Sequence, residues 1–349
     1  MTTTPEPSQI DTTPPTPIPS LFATETQLFG WQGLSATMPA HWNLSSFSGA
    51  STKGQLRIDD EEGPRLELRW ETPKGNVDLD KSIEKFLQGM EREAKKRRTD
   101  FKVAQNPQIV DNKRKRKQKL VNFGWTGDKE EAVAHGWGVA WQCGDCGRVV
   151  VAHLMGRGTE RSGKVQRLAG EVLSSLECHG NGGWQTWSLF NCRIEIPEEF
   201  GLDRAKLMTG RIDMEWVRAR KPGIFSSLGR DERITLSRWS LASVLLQRQT
   251  LQEWAENNLK RGDKHWSYSD WEETTVGEVP ALTSEGVLRD LRLRLRGRLI
   301  DLVLRRPTRG ARMLVWHNET DNKIMAYSTD LKAANEHVHT DVLDSLDCH

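Results

Sequence analysis

Cys143-Gly-Asp-Cys146-Gly is the segment whose residue types and spacing most directly specify chemistry. Two thiols separated by two residues and followed by glycine form a knuckle that presents both sulfurs to one thiophilic ion, because glycine lets the backbone turn and donate toward sulfur. Two thiolates are half of a tetrahedral site. The other half is expected from Cys178 and His179, which end the next helix. A strand of roughly 30 Å leaves the knuckle and a helix of roughly 22 Å runs back, so the helix end returns toward it. The predicted ligands are therefore Cys143, Cys146, Cys178 and His179, holding a structural zinc. Adjacent residues seldom both ligate one ion, so water or His135 also competes for the fourth place. Two blander readings stand beside this one. Cysteine after an amphipathic helix packs as a small hydrophobe while the histidine meets the helix dipole, and Cys143 with Cys146 can be a redox dithiol.

The Cys-His tail occurs twice: "VLSSLECH" at 172 to 179 returns as "VLDSLDCH" at 342 to 349. The second copy has Asn318 and Asp321 where the first has its knuckle, so metal binding there, through His317, Asp321, Cys348 and His349, is expected to be weak or nil.

A second candidate is electrostatic. The basic segment 95–119 contains "KKRR" and a run with Lys113, Arg114, Lys115, Arg116 and Lys117, whose phosphate neutralisation is the alternative function, nucleic-acid binding. "LRDLRLRLRGRL", 288 to 299, would put leucines on one face of a strand and arginines on the other. No glycine-rich phosphate loop, nucleophile elbow or His-Glu-x-x-His helix is present, and no enzyme is expected. His135, His153 and His265 read as structural.

The elements that must position these residues follow from hydrophobic period. Alternation over 33–38, 54–59 and 64–71 predicts antiparallel strands, and a 3.6-residue period over 78–96 predicts a helix with Leu79, Ile83, Phe86, Leu87, Met90 and Ala94 on one face. Strands at 133–142 and 147–155 flank the knuckle, and a helix over 163–177 ends the unit. In the second copy Thr250 and Glu253 open the counterpart helix as a capping box. Residues 34 to 44 match 192 to 202, Trp70 matches Trp239, and Trp141 matches Trp316, as a tandem duplication requires. The fold class is α+β: two tandem layer sandwiches, each an antiparallel sheet packed with two helices. Residues 1–27 form a disordered Thr/Pro arm, 28–180 the first repeat domain and 184–349 the second, with "GNGGW" as linker.

"TMPAHW" and "EIPEEF", each closing an opening strand ahead of two strands, a helix, a meander and a terminal helix, resemble the PsbP-like α/β/α sandwich superfamily. The resemblance implies a non-enzymatic binding or assembly role and carries over no site residue.

Composition narrows the rest. A chain of 349 residues holds ample material for two cores. A net charge of +2 promises no long-range steering, and 14 tryptophans against 2 tyrosines point to sheet packing. Five cysteines make no disulfide framework, and with no signal peptide or membrane-spanning run a soluble cytoplasmic protein is expected. A protein partner is expected at the junction of the repeats, with no membrane or small-molecule partner.

Overall fold

The computed structural model describes residues 25–111, 119–180, 182–218, 231–261, 263, 265–289, 309–332 and 335–348. The arm to residue 24, Lys113 to Lys117, most of the 288–299 strand and His349 lie outside them.

The chain opens with hairpin β1 (Thr26–Trp31) and β2 (Leu34–Pro39), whose two-residue turn puts Gln32 and Gly33 at positive φ. That is the turn whose twist suits a hairpin. Next come β3 (Asn43–Ala50), β4 (Lys53–Asp60), β5 (Gly63–Glu71), α1 (Leu79–Arg97), β6 (Phe101–Val103), β7 (Leu120–Gly127), β8 (His135–Gln142), β9 (Val149–Gly156) and α2 (Ser162–Ser174). The Asp78 side chain caps α1 by accepting from the Lys81 N–H, as expected where four N–H groups lack helical partners. The second half opens with β10 (Trp184–Leu189), β11 (Cys192–Pro197), β12 (Gly201–Met208), β13 (Arg211–Arg218) and β14 (Glu232–Ser240). It continues with α3 (Ala242–Leu245), α4 (Leu251–Ala255) and a π-helical turn at Glu256–Lys260. β15 (Trp266–Tyr268), β16 (Glu272–Val276), β17 (Val279–Leu288), β18 (Arg309–Asn318), β19 (Lys323–Lys332), α5 (His337–Asp344) and β20 (Asp347–Cys348) complete it.

Among the described residues, every strand pair is antiparallel. One sheet runs β3-β4-β5-β9-β8-β7-β6 and another β12-β13-β14-β19-β18-β17-β15, with β16 on β17. A third, smaller sheet runs β2-β1-β10-β11-β20 and draws strands from both halves. Sequence reading missed β1, β3 and this shared sheet.

Each large sheet is covered on both faces. α1 places Ile83 and Leu87 on Phe123, Trp125 and Ala140. On the other face, α2 and the shared sheet bury Trp137, Val139, Trp141, Ala152 and Leu154. In the second half Trp254 and Ala255 of α4 meet Val315 and Ile324, while Val338 and Val342 of α5 belong with Trp316, Met325 and Tyr327. The largest apolar cluster runs from Phe29 to Val342 and does not divide at 180–184. Trp31 and Trp187, both 1 % exposed, meet edge-on at 5.2 Å within it. Burial of a side chain that size contributes on the order of 3 kcal/mol before its ordering entropy is counted.

Trp141 and Trp316 occupy matching strands and the same apolar cluster. Trp70 and Trp239 also occupy matching strands, β5 and β14, but face opposite ways, which departs from the expectation of equivalent places. Trp70 lies in the large cluster, whereas Trp239 packs against Trp254 at 4.9 Å. The cause is register. Trp70 pairs with Gly54, but Ile212, at the matching place in β13, pairs with Arg238. A bulge between Ile58 and Asp59 shifts the first pairing, and a one-residue slip turns every side chain to the other face.

Candidate metal centre

Position comes from two anchors. The hairpin tip between β8 and β9 is closed by Cys143 N–H donating to the Arg148 carbonyl at 2.8 Å and Gly147 N–H donating to the Cys143 carbonyl at 3.0 Å. Gly147 adopts φ 70°, a conformation that costs glycine little and other residues more. The tail arrives from α2, where the Ser175 hydroxyl accepts from Thr37 N–H at 2.9 Å and donates to the Val172 carbonyl at 2.7 Å. Glu177 then exchanges both backbone bonds with Ser35, at 3.2 and 2.8 Å. Arg148 reaches over the tail, donating to the carbonyls of Gln32 at 2.9 Å and Cys178 at 3.4 Å.

These anchors bring Cys143, Cys146 and Cys178 together, with their three sulfurs within 4.8 Å of one another. Cys146 Sγ is 3.5 Å from Cys178 Sγ. Tetrahedral zinc with bonds near 2.3 Å separates its sulfurs by about 3.8 Å, close to the Cys146–Cys178 separation. Cys143 and Cys178 are buried and Cys146 is exposed.

His179 joins a second, overlapping set with Cys143 and Asp145, also within 4.8 Å, rather than completing the three-sulfur group. Its Nε2 lies 3.5 Å from Asp145 and its Nδ1 3.3 Å from the Gly180 carbonyl. The tautomer with Nδ1–H donating to that carbonyl leaves the Nε2 lone pair free to ligate, the usual second-shell arrangement of a ligating histidine. Sequence reading missed Asp145 and Arg148; their place inside and directly after the knuckle was the available signal. His135 is excluded as a ligand because it starts β8 while the knuckle follows its end, roughly 25 Å along the strand.

Electrostatics divides the three thiols. Burial raises the Cys143 pKa, but N–H groups of Cys146 and Asp145, the Cys146 thiol and His179 outweigh it and the net direction is down. Burial, then the neighbouring Cys146 and Cys143, push Cys178 up. His179 moves up as well, because the Gly180 carbonyl and Cys143 outweigh its burial.

The second tail docks in the same way and ends differently. The Ser345 hydroxyl accepts from Glu195 N–H at 3.0 Å and donates to the Val342 carbonyl at 2.7 Å, matching Ser175. Asp347 pairs with Arg193 as Glu177 pairs with Ser35. Cys348, however, forms a disulfide with Cys192. This one bond corrects the expectation that the five cysteines make no disulfide framework, and it removes Cys348 as a ligand. Leu34 occupies the place in β2 that Cys192 holds in β11.

Beside His179 opens a cleft of about 470 Å³ lined from both halves, with Glu177, Trp184, Glu195 and Asp341 among its walls. Elsewhere, the described cations of segment 95–119 include Lys95, Lys96 and Lys119, which pair with Glu91, Glu93 and Asp80 respectively. Among the described residues, no helix is long and apolar enough to cross a membrane.

No protein-family model matches the chain, and no curated protein matches it. Among solved structures it is similar to cyanobacterial PsbP (CyanoP) from Synechocystis, at 13 % identity and TM-score 0.32 over 46 % of this chain and 96 % of that one. It is also similar to the type VI secretion immunity protein TplEi of Pseudomonas aeruginosa in complex with an "L" peptide, at 10 % identity and TM-score 0.33 over 93 % and 97 %. The Tle4–Tli4 complex gives 9 % and 0.32 over 93 % and 96 %. The PsbP likeness thus spans less than half the chain, and values this low leave function to be argued from the chain's own residues.

Proposed function

We propose that this protein is a non-enzymatic, partner-binding or assembly module built from two diverged copies of one α+β unit, with a structural zinc tying the tail of the first copy to its knuckle. The observation that carries the metal reading is the three-sulfur group with its 3.5 Å Cys146–Cys178 contact. Cys143, Cys146 and Cys178 supply thiolates, and His179, held through Nδ1 by the Gly180 carbonyl, supplies the fourth ligand. The duplication is supported by the common strand order and by the two serine-anchored tails.

The partner surface in this reading is the cleft between the halves. Glu177, Glu195 and Asp341 give it an acidic lining, with Arg193 tied to Glu195 at 2.8 Å. A basic protein segment complements that charge, and Trp184 offers a face for a cation. Nucleic acid finds less support, because Lys95, Lys96 and Lys119 have acidic partners. A cytoplasmic home must accommodate the Cys192–Cys348 bond, since disulfides persist mainly in oxidising compartments.

The test pairs metal with partner. Cys143→Ser should abolish zinc binding, and Asp341→Lys should abolish capture of a partner from native extract while leaving zinc bound. Partner capture unaffected by Asp341→Lys, but lost in high salt with polynucleotide competitor, would favour the basic segment instead.

A further inference from the structure

We propose that Cys146 and Cys178 form a reversible disulfide, making the first-half cluster a redox-responsive site whose oxidised state cannot hold zinc. The inference rests on the metal reading above for its zinc-release arm alone. The thiol pair stands on its own geometry.

Two independent observations carry it. First, the sulfurs of Cys146 and Cys178 are 3.5 Å apart, so bond formation needs a displacement of about 1.5 Å, within the reach of a rotamer adjustment at a hairpin tip. Second, the tail cysteine in the other half is already oxidised. Cys178 and Cys348 follow backbone pairings of the same form, Ser35 with Glu177 and Arg193 with Asp347. In the second half the neighbouring strand supplies Cys192 and the bond is made. In the first half Leu34 fills that place, so the tail sulfur meets the knuckle sulfur across the hairpin tip. The same docking geometry thus delivers a cysteine to a thiol partner twice, from different directions.

Exposure sets the order of events. Cys146 is exposed, whereas Cys178 is 6 % exposed behind it and Cys143 is 1 % exposed. A peroxide therefore meets Cys146 first. Its thiolate attacks one peroxide oxygen, the O–O bond breaks, and the departing oxygen leaves as water after protonation, giving a sulfenic acid on Cys146. Cys178 sulfur then attacks Cys146 Sγ, the S–O bond breaks, and the hydroxyl leaves as a second water with the Cys178 proton. Two thiols and one hydrogen peroxide become one disulfide and two waters; sulfur is oxidised and peroxide reduced. A dithiol reductant reverses the change. The remaining protein ligands, Cys143 and His179, are too few for a structural zinc, which is released.

The experiment treats full-length protein with stoichiometric hydrogen peroxide, follows zinc with a chromogenic chelator, and maps disulfides by non-reducing peptide mass spectrometry. The expected product links the peptides of Cys146 and Cys178 in most molecules, leaves Cys143 alkylatable after denaturation, and reverts with dithiothreitol. Cys146→Ser should abolish the link. Cys143→Ser should form it several-fold faster, because the metal no longer protects the pair. A Cys143–Cys146 link as the main product, or Cys146 over-oxidised to sulfinic acid with Cys178 still a thiol, would overturn the proposal even if zinc is bound. Protein that arrives without zinc yet forms the Cys146–Cys178 link would overturn the metal reading and leave this inference standing.

Discussion

Gly30 stands directly opposite Ser188 in the antiparallel pair that joins the halves. Strands β1 to β4 and β10 to β13 begin 158 residues apart, and Gly30 and Ser188 are separated by that same number. A position paired with its own match is what the proposed duplication requires at a local twofold axis. The shared sheet, the continuous core and the cleft beside His179 all draw residues from both halves.

A Cβ on Gly30 would fall 2.5 Å from the Thr186 carbonyl oxygen, a backbone atom that cannot move without disturbing the shared sheet. Gly30→Ala should therefore lower stability by about 1–3 kcal/mol. Gly89, inside α1 with nothing within 4 Å of an added Cβ, is the control: its alanine variant should hold or gain stability by up to about 1 kcal/mol. Denaturant midpoints of the two variants check the contrast.

The Cys192–Cys348 bond spans 156 residues and ties the C-terminal tail to β11. Reduction should destabilise the fold by roughly 2–4 kcal/mol, seen as a lower melting temperature in dithiothreitol. Cys348→Ser should reproduce that shift and be insensitive to the reductant, with the first-half thiols unaffected.

Two buried histidines set a pH dependence. Burial lowers His153 to about 4, and burial with Arg312 lowers His339 to about 4. The unfolded chain takes up these protons near pH 6.5 and the folded chain only near pH 4. Stability from this source is therefore complete above 6.5, lost as pH falls from 6.5 to 4, and flat below. Each histidine contributes on the order of 3 kcal/mol across that window. His153→Leu, set among Phe86 and Phe123, should reduce the slope of unfolding free energy against pH by about one proton. An unchanged slope would mean that His153 is protonated in the folded state.

What sequence could show follows from how local each feature is. The knuckle, α1, α2 and the Thr250 capping box rest on short periods and spacings, and the structure places them within a few residues of expectation. The tail's repetition pointed to a helix end docked in a constant way, and Ser175 and Ser345 are the physical reason for it. Features that depend on distant pairing were not legible. The β1–β10 contact and the Cys192–Cys348 bond join residues more than 150 apart. An odd cysteine count hid one disulfide beside three thiols. The reversal of Trp70 and Trp239 depends on a bulge that leaves no mark in the alternation of either strand.

Zinc stoichiometry tests the central claim most directly. Protein purified without a metal-affinity tag should carry one equivalent of zinc by inductively coupled plasma mass spectrometry. Cys143→Ser should carry less than a tenth of that and melt at a lower temperature, since a structural zinc stabilises small folds by about 10 kcal/mol and contributes less where a core already exists. Wild-type protein with under a tenth of an equivalent of zinc or iron, and with Cys143, Cys146 and Cys178 all alkylated readily in the native state, would contradict the account.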